Sequence, residues 1–263
     1  GADGIGAINI CVPIMMLATG LGLMMGAGCS VVASIHMAEK KLKAARINVM
    51  QAWIFTSIGI LAMIIPVMLF PSATGRLLGS SEALLPLVRE YMLGFMPGEL
   101  FGVWCALLLF VIRLDGNPRL AMWCNVIAAI ANIVLDWLMI VHLGWGLAGA
   151  AVASTLSMMI GGLIAAWYML FAARQLRPIR LKWSRRSLLY SVRNIGYQCT
   201  IGISALMGEG TMAVLTLVGN YVFITYMGDP GVGAFGIACY YTPFVYMIGN
   251  AVAQSAQPII SYN

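Results

Sequence analysis

Apolar residues run through this chain in long unbroken stretches, separated by short segments that hold nearly all of its charge. Seven stretches reach the ~20 residues that a helix needs to cross a hydrocarbon layer ~30 Å thick. They lie approximately at Ile5 to Ile35, Val49 to Phe70, Tyr91 to Ile112, Leu120 to Val141, Leu147 to Phe171, Cys199 to Tyr226 and Val232 to Ile260. Backbone polar groups in lipid must bond within their own segment, so stretches of this length predict helices; barrel strands would be shorter and would alternate apolar with polar. The first stretch has no basic flank and exceeds the apolar length of a signal peptide, so it reads as a membrane helix. The expected fold class is all-α, a polytopic membrane helix bundle.

The composition leads to the same class, because 61% hydrophobic with 9% charged residues leaves too little polar surface to wrap a soluble domain of 263 residues. A net charge of +6 does not point to nucleic acid, since the basic residues form no face interleaved with aromatics. They cluster instead in alternate connections: Lys40, Lys41, Lys43 and Arg46; Arg113 and Arg119; and Arg174, Arg177, Arg180, Lys182, Arg185, Arg186 and Arg193. Only Arg76 and Arg89 of the 15 Lys and Arg fall on the opposite side, so the basic side is expected to be cytoplasmic. In the long connection on the other side, Leu84, Leu85, Leu87 and Val88 suggest a short interfacial helix.

Laying the seventh stretch on the first at an offset of 227 residues pairs Gly4 with Gly231, Gly6 with Gly233, Ala7 with Ala234 and Ile10 with Ile237. A period of six helices preserves direction, so the repeats would be parallel and related by an axis along the membrane normal. The expected organisation is residues 1–173 as an amino-terminal lobe of five membrane helices, 174–194 as a basic cytoplasmic linker, and 195–263 as the start of a carboxy-terminal lobe. On this reading one helix precedes Gly1 and about four follow Asn263, completing a twelve-helix, two-lobe transporter.

Glu99, Asp136 and Glu209 lie inside predicted helices, where burying a charge is costly enough to suggest function. At 1.5 Å per residue Asp136 lies ~8 Å, Ser154 ~10 Å, Glu99 ~12 Å and Asn132 ~14 Å from the non-basic edge. Asn132 and Asp136 are i and i+4, hence on one helix face, which suits a shared proton, cation or water. Glu209 lies ~15 Å into its helix, near the midplane. Plainer readings stand beside these: Asp136 reaching toward the interface, Glu99 serving the backbone freed by Pro97, and Ser154 or Thr155 packing helices through a hydroxyl. The six scattered cysteines form no metal or disulfide pattern and read as small packing residues. Gly20, Gly22, Gly26 and Gly28 lack the spacing of a dinucleotide fingerprint and suggest close helix packing. Pro13, Pro66, Pro97 and Pro243 mark candidate kinks. The 19 methionines suit an adaptable apolar surface. No nucleophile with a base, metal cluster or phosphate loop is visible, so neither an enzyme nor a cofactor is expected.

Four segments are similar to the multidrug and toxic compound extrusion (MATE) transporters: Arg113-Leu-Asp-Gly-Asn-Pro-Arg119, Asn132-Ile-Val-Leu-Asp136, Gly144-Trp-Gly-Leu-Ala-Gly-Ala-Ala-Val-Ala-Ser154 and Gln257-Pro-Ile-Ile-Ser-Tyr-Asn263. They resemble the loop after the family's fourth helix, its fifth helix, the start of its sixth and the end of its eighth. The resemblance implies an antiporter that exports amphipathic, often cationic compounds in exchange for H⁺ or Na⁺, a monomer at full length, in a bacterial cytoplasmic membrane. It implies that Asn132 and Asp136 help bind the coupling ion, that Ser154 stands where a Thr hydroxyl often joins them, and that Glu209 matches an acidic residue of the seventh helix. Trp137 departs from the proline that commonly follows the Asp. A lipid-linked precursor flippase of related fold is the alternative; it would need a wide basic cavity, and no Lys or Arg lies within the apolar stretches. A non-transporting scaffold would leave the buried acids without purpose.

Overall fold

The computed structural model describes residues 2–179, 181, 185–239, 248, 249, 251–253, 255, 256 and 260. Among them the chain is helical throughout its spans: α1 (Ala2–Ala38), α2 (Leu42–Leu69), α3 (Pro71–Leu77), α4 (Leu85–Leu114), α5 (Pro118–Asp136), α6 (Gly146–Trp167) and α7 (Arg185–Cys239). α5 and α6 end in π-helical turns, Trp137–His142 and Tyr168–Ala172. Six helices among the described residues are long and apolar enough to cross a membrane. Five coincide with the first five predicted stretches. The sixth joins the sixth stretch to the beginning of the seventh through a break at Gly228. There φ is +67°, a left-handed conformation that glycine adopts without strain, and Pro230 then opens the following turn. Part of the seventh stretch, residues 240–247 with Pro243, lies outside the described residues, as do 257–259 and 261–263, Arg180 and Lys182.

The short interfacial helix falls elsewhere than the apolar pattern suggested. Leu85 and Val88 belong to the first turn of α4, where Pro86 occupies an early position and both side chains are buried. The short helix on that side is α3, started by Pro71. Val88 packs in the bundle against the same cluster as Ile10 and Ile64, so burial decided what the local pattern left to the interface. Beside it, Arg76 pairs with Glu82 through two bonds of 2.8 and 3.1 Å, and this exposed pair holds the Glu82 carboxyl below its ordinary range.

α4 forms the centre of the bundle and α5 its periphery. α4 buries residues on every side, including Leu107, Leu108 and Ile112, whereas α5 buries only Ala121 and Cys124 and exposes Ile133, Val134 and Trp137. An exterior that is as apolar as the core is what a lipid solvent permits. The α4–α6 contact is set by small residues. A Cβ placed on Gly98 would lie 2.7 Å from Thr155 Cα, closer than real atoms approach, so the glycine is required by the contact. Thr155 uses that proximity to donate its hydroxyl to Gly94 O at 2.7 Å, shared with Phe95 O at 3.1 Å. Thr155 is thus the packing hydroxyl that one reading of the sequence foresaw, and it serves carbonyls beside Pro97. Cys11, Cys29, Cys105 and Cys124 are free and buried in the core.

Asp115, in the connection between α4 and α5, organises the basic side. It is 3% exposed, and its carboxylate accepts the Tyr168 hydroxyl and the backbone N–H groups of Arg174, Gln175 and Leu176, all between 2.7 and 2.8 Å. Arg46 of α2 donates to Gln175 O. The first residues of the 174–194 segment are therefore fastened to the amino-terminal helices, and the segment's end is already helical, since α7 begins at Arg185.

The internal repeat acquires a geometry. Gly6 and Gly233 are equivalent under the 227-residue offset, and a Cβ on Gly6 would lie 3.7 Å from Gly233 N. Asn9 and Gly236 are equivalent too, and a Cβ on Gly236 would lie 3.2 Å from Asn9 Cβ. Equivalent residues lie close together where they flank a two-fold axis. Two such meetings three residues apart, in the same chain direction, fit an axis that runs with the helices, as a parallel repeat demands. Gly22 and Gly249, a further pair at the same offset, do not meet: a Cβ on Gly22 would face Val103 and Ala106 of α4, and one on Gly249 would meet nothing within 4 Å.

Candidate functional site

A cavity of about 720 Å³ lies between α1, α4, α5, α6 and α7, with Ala251 and Ser255 of the last segment also on its wall. Its lining runs on α4 from Gly102 to Arg113 and on α5 from Asn132 back to Asn125, so it extends from mid-membrane toward the basic side. On the opposite side α1 and α7 are held together. Asn9 Nδ2 donates to Asn220 Oδ1 at 2.8 Å and Asn220 Nδ2 donates to Asn9 O at 3.2 Å, both amides being buried. Tyr221 of α7 donates to Leu77 O at 2.8 Å.

Three of the five residues predicted for a site meet on this cavity: Asn132, Ser154 and Glu209. Asn132 Nδ2 stands 3.5 Å from Ser154 Oγ, a long bond across α5 and α6. Glu209 reaches the cavity because α1 offers no side chain at Gly20, where a Cβ would lie 3.1 Å from Glu209 Cβ. Asp136 follows Asn132 one turn later on the same face but is not among the lining residues. Asp136 is half-buried, and its Oδ1 is buried and finds no hydrogen-bond partner among the described residues. Immediately after it the α-helix becomes π-helical, an irregularity often associated with functional positions. Glu99 lies apart from the cavity. It is 3% exposed and shares an α4 face with Val103 and Ala106, which pack against α1 at Gly22.

Sequence reasoning passed over Arg113. It follows the apolar stretch directly and was counted with the loop, yet α4 continues through Leu114 and Arg113 lines the cavity. Its guanidinium stands 5.6 Å from the Phe110 ring centroid. The signal available was the Asn117-Pro118 pair that starts α5: Asn117 Oδ1 caps Leu120 N, so the α4 helix can run to the edge of a very short connection. A second polar group also went unread. On the basic side, Gln198 of α7 donates to Asn48 Oδ1 at 3.0 Å, and Gln51 of α2 bonds Ser191 and Asn194 of α7.

Comparison with known proteins places this arrangement. The MatE family model matches residues 1–138. A FAD transporter of Shewanella oneidensis is 22% identical, covering all of this chain and 58% of that protein. The multidrug export protein MepA of Staphylococcus aureus is 24% identical, covering 98% of this chain and 56% of that protein. Among solved structures, an inward-facing conformation of a multidrug resistance MATE family transporter superposes over the whole chain with a TM-score of 0.81 at 24% identity, covering 56% of its own length. A MATE multidrug transporter, DinF-BH, in complex with R6G gives 0.82 at 23% identity and 58%. The chain spans a little over half the length of the curated relatives it matches.

Proposed function

Since this chain belongs to the MatE family, we propose that the full-length protein is a secondary antiporter, which exports amphipathic, often cationic compounds across a bacterial cytoplasmic membrane in exchange for H⁺ or Na⁺. The observation that carries this reading is the 720 Å³ cavity with a carboxylate, Glu209, on its mid-membrane wall. A volume of that order fits a drug-sized molecule, and a carboxylate with little water around it attracts a cation strongly. Met16, Met158 and Met212 give the wall an adaptable, polarisable surface suited to varied ring systems.

Coupling needs a group that exchanges charge between conformations. Asp136, with one buried oxygen unpartnered, is the group to which a proton or Na⁺ would bring the largest gain, and Asn132 and Ser154 supply neutral oxygens one turn away. Ion binding that favours one lobe arrangement over the other would then drive release on the far side. Glu99, buried off the cavity, is the weaker coupling candidate in this scheme. The flippase alternative calls for a wide basic cavity, and among the described lining residues Arg113 is the one basic side chain. Vesicles carrying the full-length protein, with H⁺ and Na⁺ gradients imposed separately, test the proposal. Export of rhodamine 6G is expected under one gradient and to collapse when that gradient is dissipated. Export unaffected by either gradient would remove antiport from the reading.

A further inference from the structure

α6 meets α4 through Thr155 and turns Ser154, Ser157 and Gly161 to the cavity. The face left over carries Ile160, Leu163, Trp167 and Leu170, all exposed at helical spacing, with Phe171 beside them. From Ile160 to Leu170 this stripe runs ~15 Å, about the hydrocarbon depth of one leaflet. Its basic-side end is aromatic: Trp167 and Phe171 are 59% and 66% exposed, with ring centroids 6.4 Å apart. At that end the chain folds back over the helix. Arg177 donates its Nε–H to Leu170 O at 3.1 Å, which sets its guanidinium at the carbonyl end of the π-helical turn. Asp115 holds this turn on both sides, accepting the Tyr168 hydroxyl before it and the N–H groups of Arg174, Gln175 and Leu176 after it. That carboxylate is buried, whereas Arg174 and Arg177 are exposed, and Arg46 adds a third positive charge through its bond to Gln175 O. No carboxylate pairs with Arg177 among the described residues.

We infer that the basic-side end of α6 binds an anionic phospholipid, with its phosphate on Arg177 beside Arg174 and one acyl chain along Leu163, Trp167 and Phe171. The carbonyl end of a helix by itself repels an anion, and Arg177, seated on Leu170 O, reverses that sign. Because Nε is already bonded, the guanidinium is held in place while its outer N–H groups remain to receive a phosphate. A soluble anion would use the arginines and leave the apolar stripe unmatched. A zwitterionic lipid would match the stripe and bring a cation to the arginines. An anionic lipid fits both, and this holds whether or not the protein is an antiporter.

Trp167 reports on the site directly. The full-length protein is placed in phosphatidylcholine bilayers that hold a rising fraction of lipid with brominated chains, either phosphatidylglycerol or phosphatidylcholine. Bromine quenches a tryptophan that it touches, and the difference between the unsubstituted and Trp167→Phe proteins isolates the Trp167 signal. Half-quenching is expected at a fraction of brominated phosphatidylglycerol about fivefold below that of brominated phosphatidylcholine, the scale of one arginine at a membrane surface. Arg177→Gln should bring the two curves together and Arg177→Lys should separate them again in part. Quenching by brominated phosphatidylcholine should stay the same in both variants, which shows that the fold is intact. Arg119→Gln, exposed in the first turn of α5, should leave the preference in place. Equal curves for the two lipids in the unsubstituted protein would overturn the inference. An Arg119→Gln protein that loses as much as Arg177→Gln would do so too, since the attraction would then belong to the basic side as a whole. A preference abolished by inorganic phosphate, but not by chloride at equal ionic strength, would replace the lipid with a soluble anion. No quenching of Trp167 by either lipid would mean that protein, a second copy included, covers this face.

Discussion

At the scale of single residues, Glu209 and Asp136 stand differently toward the cavity. Glu209 faces open volume and touches α1 through Gly20, whereas Asp136 lies one turn beyond the cavity with a buried oxygen unpartnered. Removing the Glu209 charge while keeping its shape therefore tests attraction apart from packing. Glu209→Gln is expected to cut export of cationic dyes at least tenfold in kcat/KM while neutral substrates keep at least half their rate. If every substrate falls together, Glu209 belongs to the ion pathway; if none changes, it is structural. Which polar residues line the cavity was partly legible because a carboxylate or amide within an apolar stretch is costly unless it is used: of Glu99, Asn132, Asp136, Ser154 and Glu209, the wall holds Asn132, Ser154 and Glu209. Arg113 escaped because a charge at the end of an apolar stretch looks the same whether the helix stops before it or runs one residue past it. Asp115 escaped for another reason. Its partners Arg174, Gln175 and Leu176 lie some sixty residues along the chain, and no local pattern announces them.

At the scale of elements, helix identity was readable from length and apolarity alone, because lipid leaves a backbone few other choices. Helix ends and helix partners were not. Leu84 to Val88 looked interfacial, and the packing of Val88 against Ile10 and Ile64 claimed them for α4. The glycines of α1 suggested close packing and have it, a Cβ on Gly22 falling 2.9 Å from Ala106 Cβ and one on Gly26 2.6 Å from the Phe110 ring; which helices they meet was not readable, nor was the contact on α4 most dependent on a missing side chain, Gly98 against Thr155. Gly98→Ala is expected to push α6 away from α4 and weaken the hydroxyl bonds to Gly94 O and Phe95 O, costing about 1–3 kcal/mol. Gly196→Ala is the matched control, since a Cβ there meets nothing within 4 Å in a helical setting, and alanine should be neutral or stabilising. Thermal unfolding in detergent checks the pair: a lower midpoint for Gly98→Ala and an equal or higher one for Gly196→Ala. Equal midpoints for both would mean that α4 and α6 relax freely around their small residues.

At the scale of the whole molecule, the cavity extends toward the basic side while α1 and α7 are bonded on the other; under the antiport proposal this arrangement would be one end of a cycle in which the lobes exchange which side they open. The repeat contacts of Gly6 with Gly233 and Asn9 with Gly236 put the axis of that exchange beside the Asn9–Asn220 pair. Opening on the non-basic side must break this pair, and Asn220 is wholly buried, so the amides weigh directly on the balance of states. Asn220→Ala strands the Asn9 amide where it has no water to turn to, a penalty of about 1–3 kcal/mol against the present arrangement. Across a two-state equilibrium that is a shift of about 5- to 150-fold toward the alternative. Spin labels at Leu77 and Tyr226, both exposed on the non-basic side, report the separation of α3 from the part of α7 just before its break at Gly228. In the full-length protein the Asn220→Ala distance distribution should gain a longer component. Asn9→Ala combined with Asn220→Ala should gain less of it, because removing both amides leaves neither stranded. A distribution unchanged in both variants would mean that the pair packs the helices without holding the state, and that the Tyr221 bond to Leu77 O and the glycine contacts at the axis keep this side closed on their own.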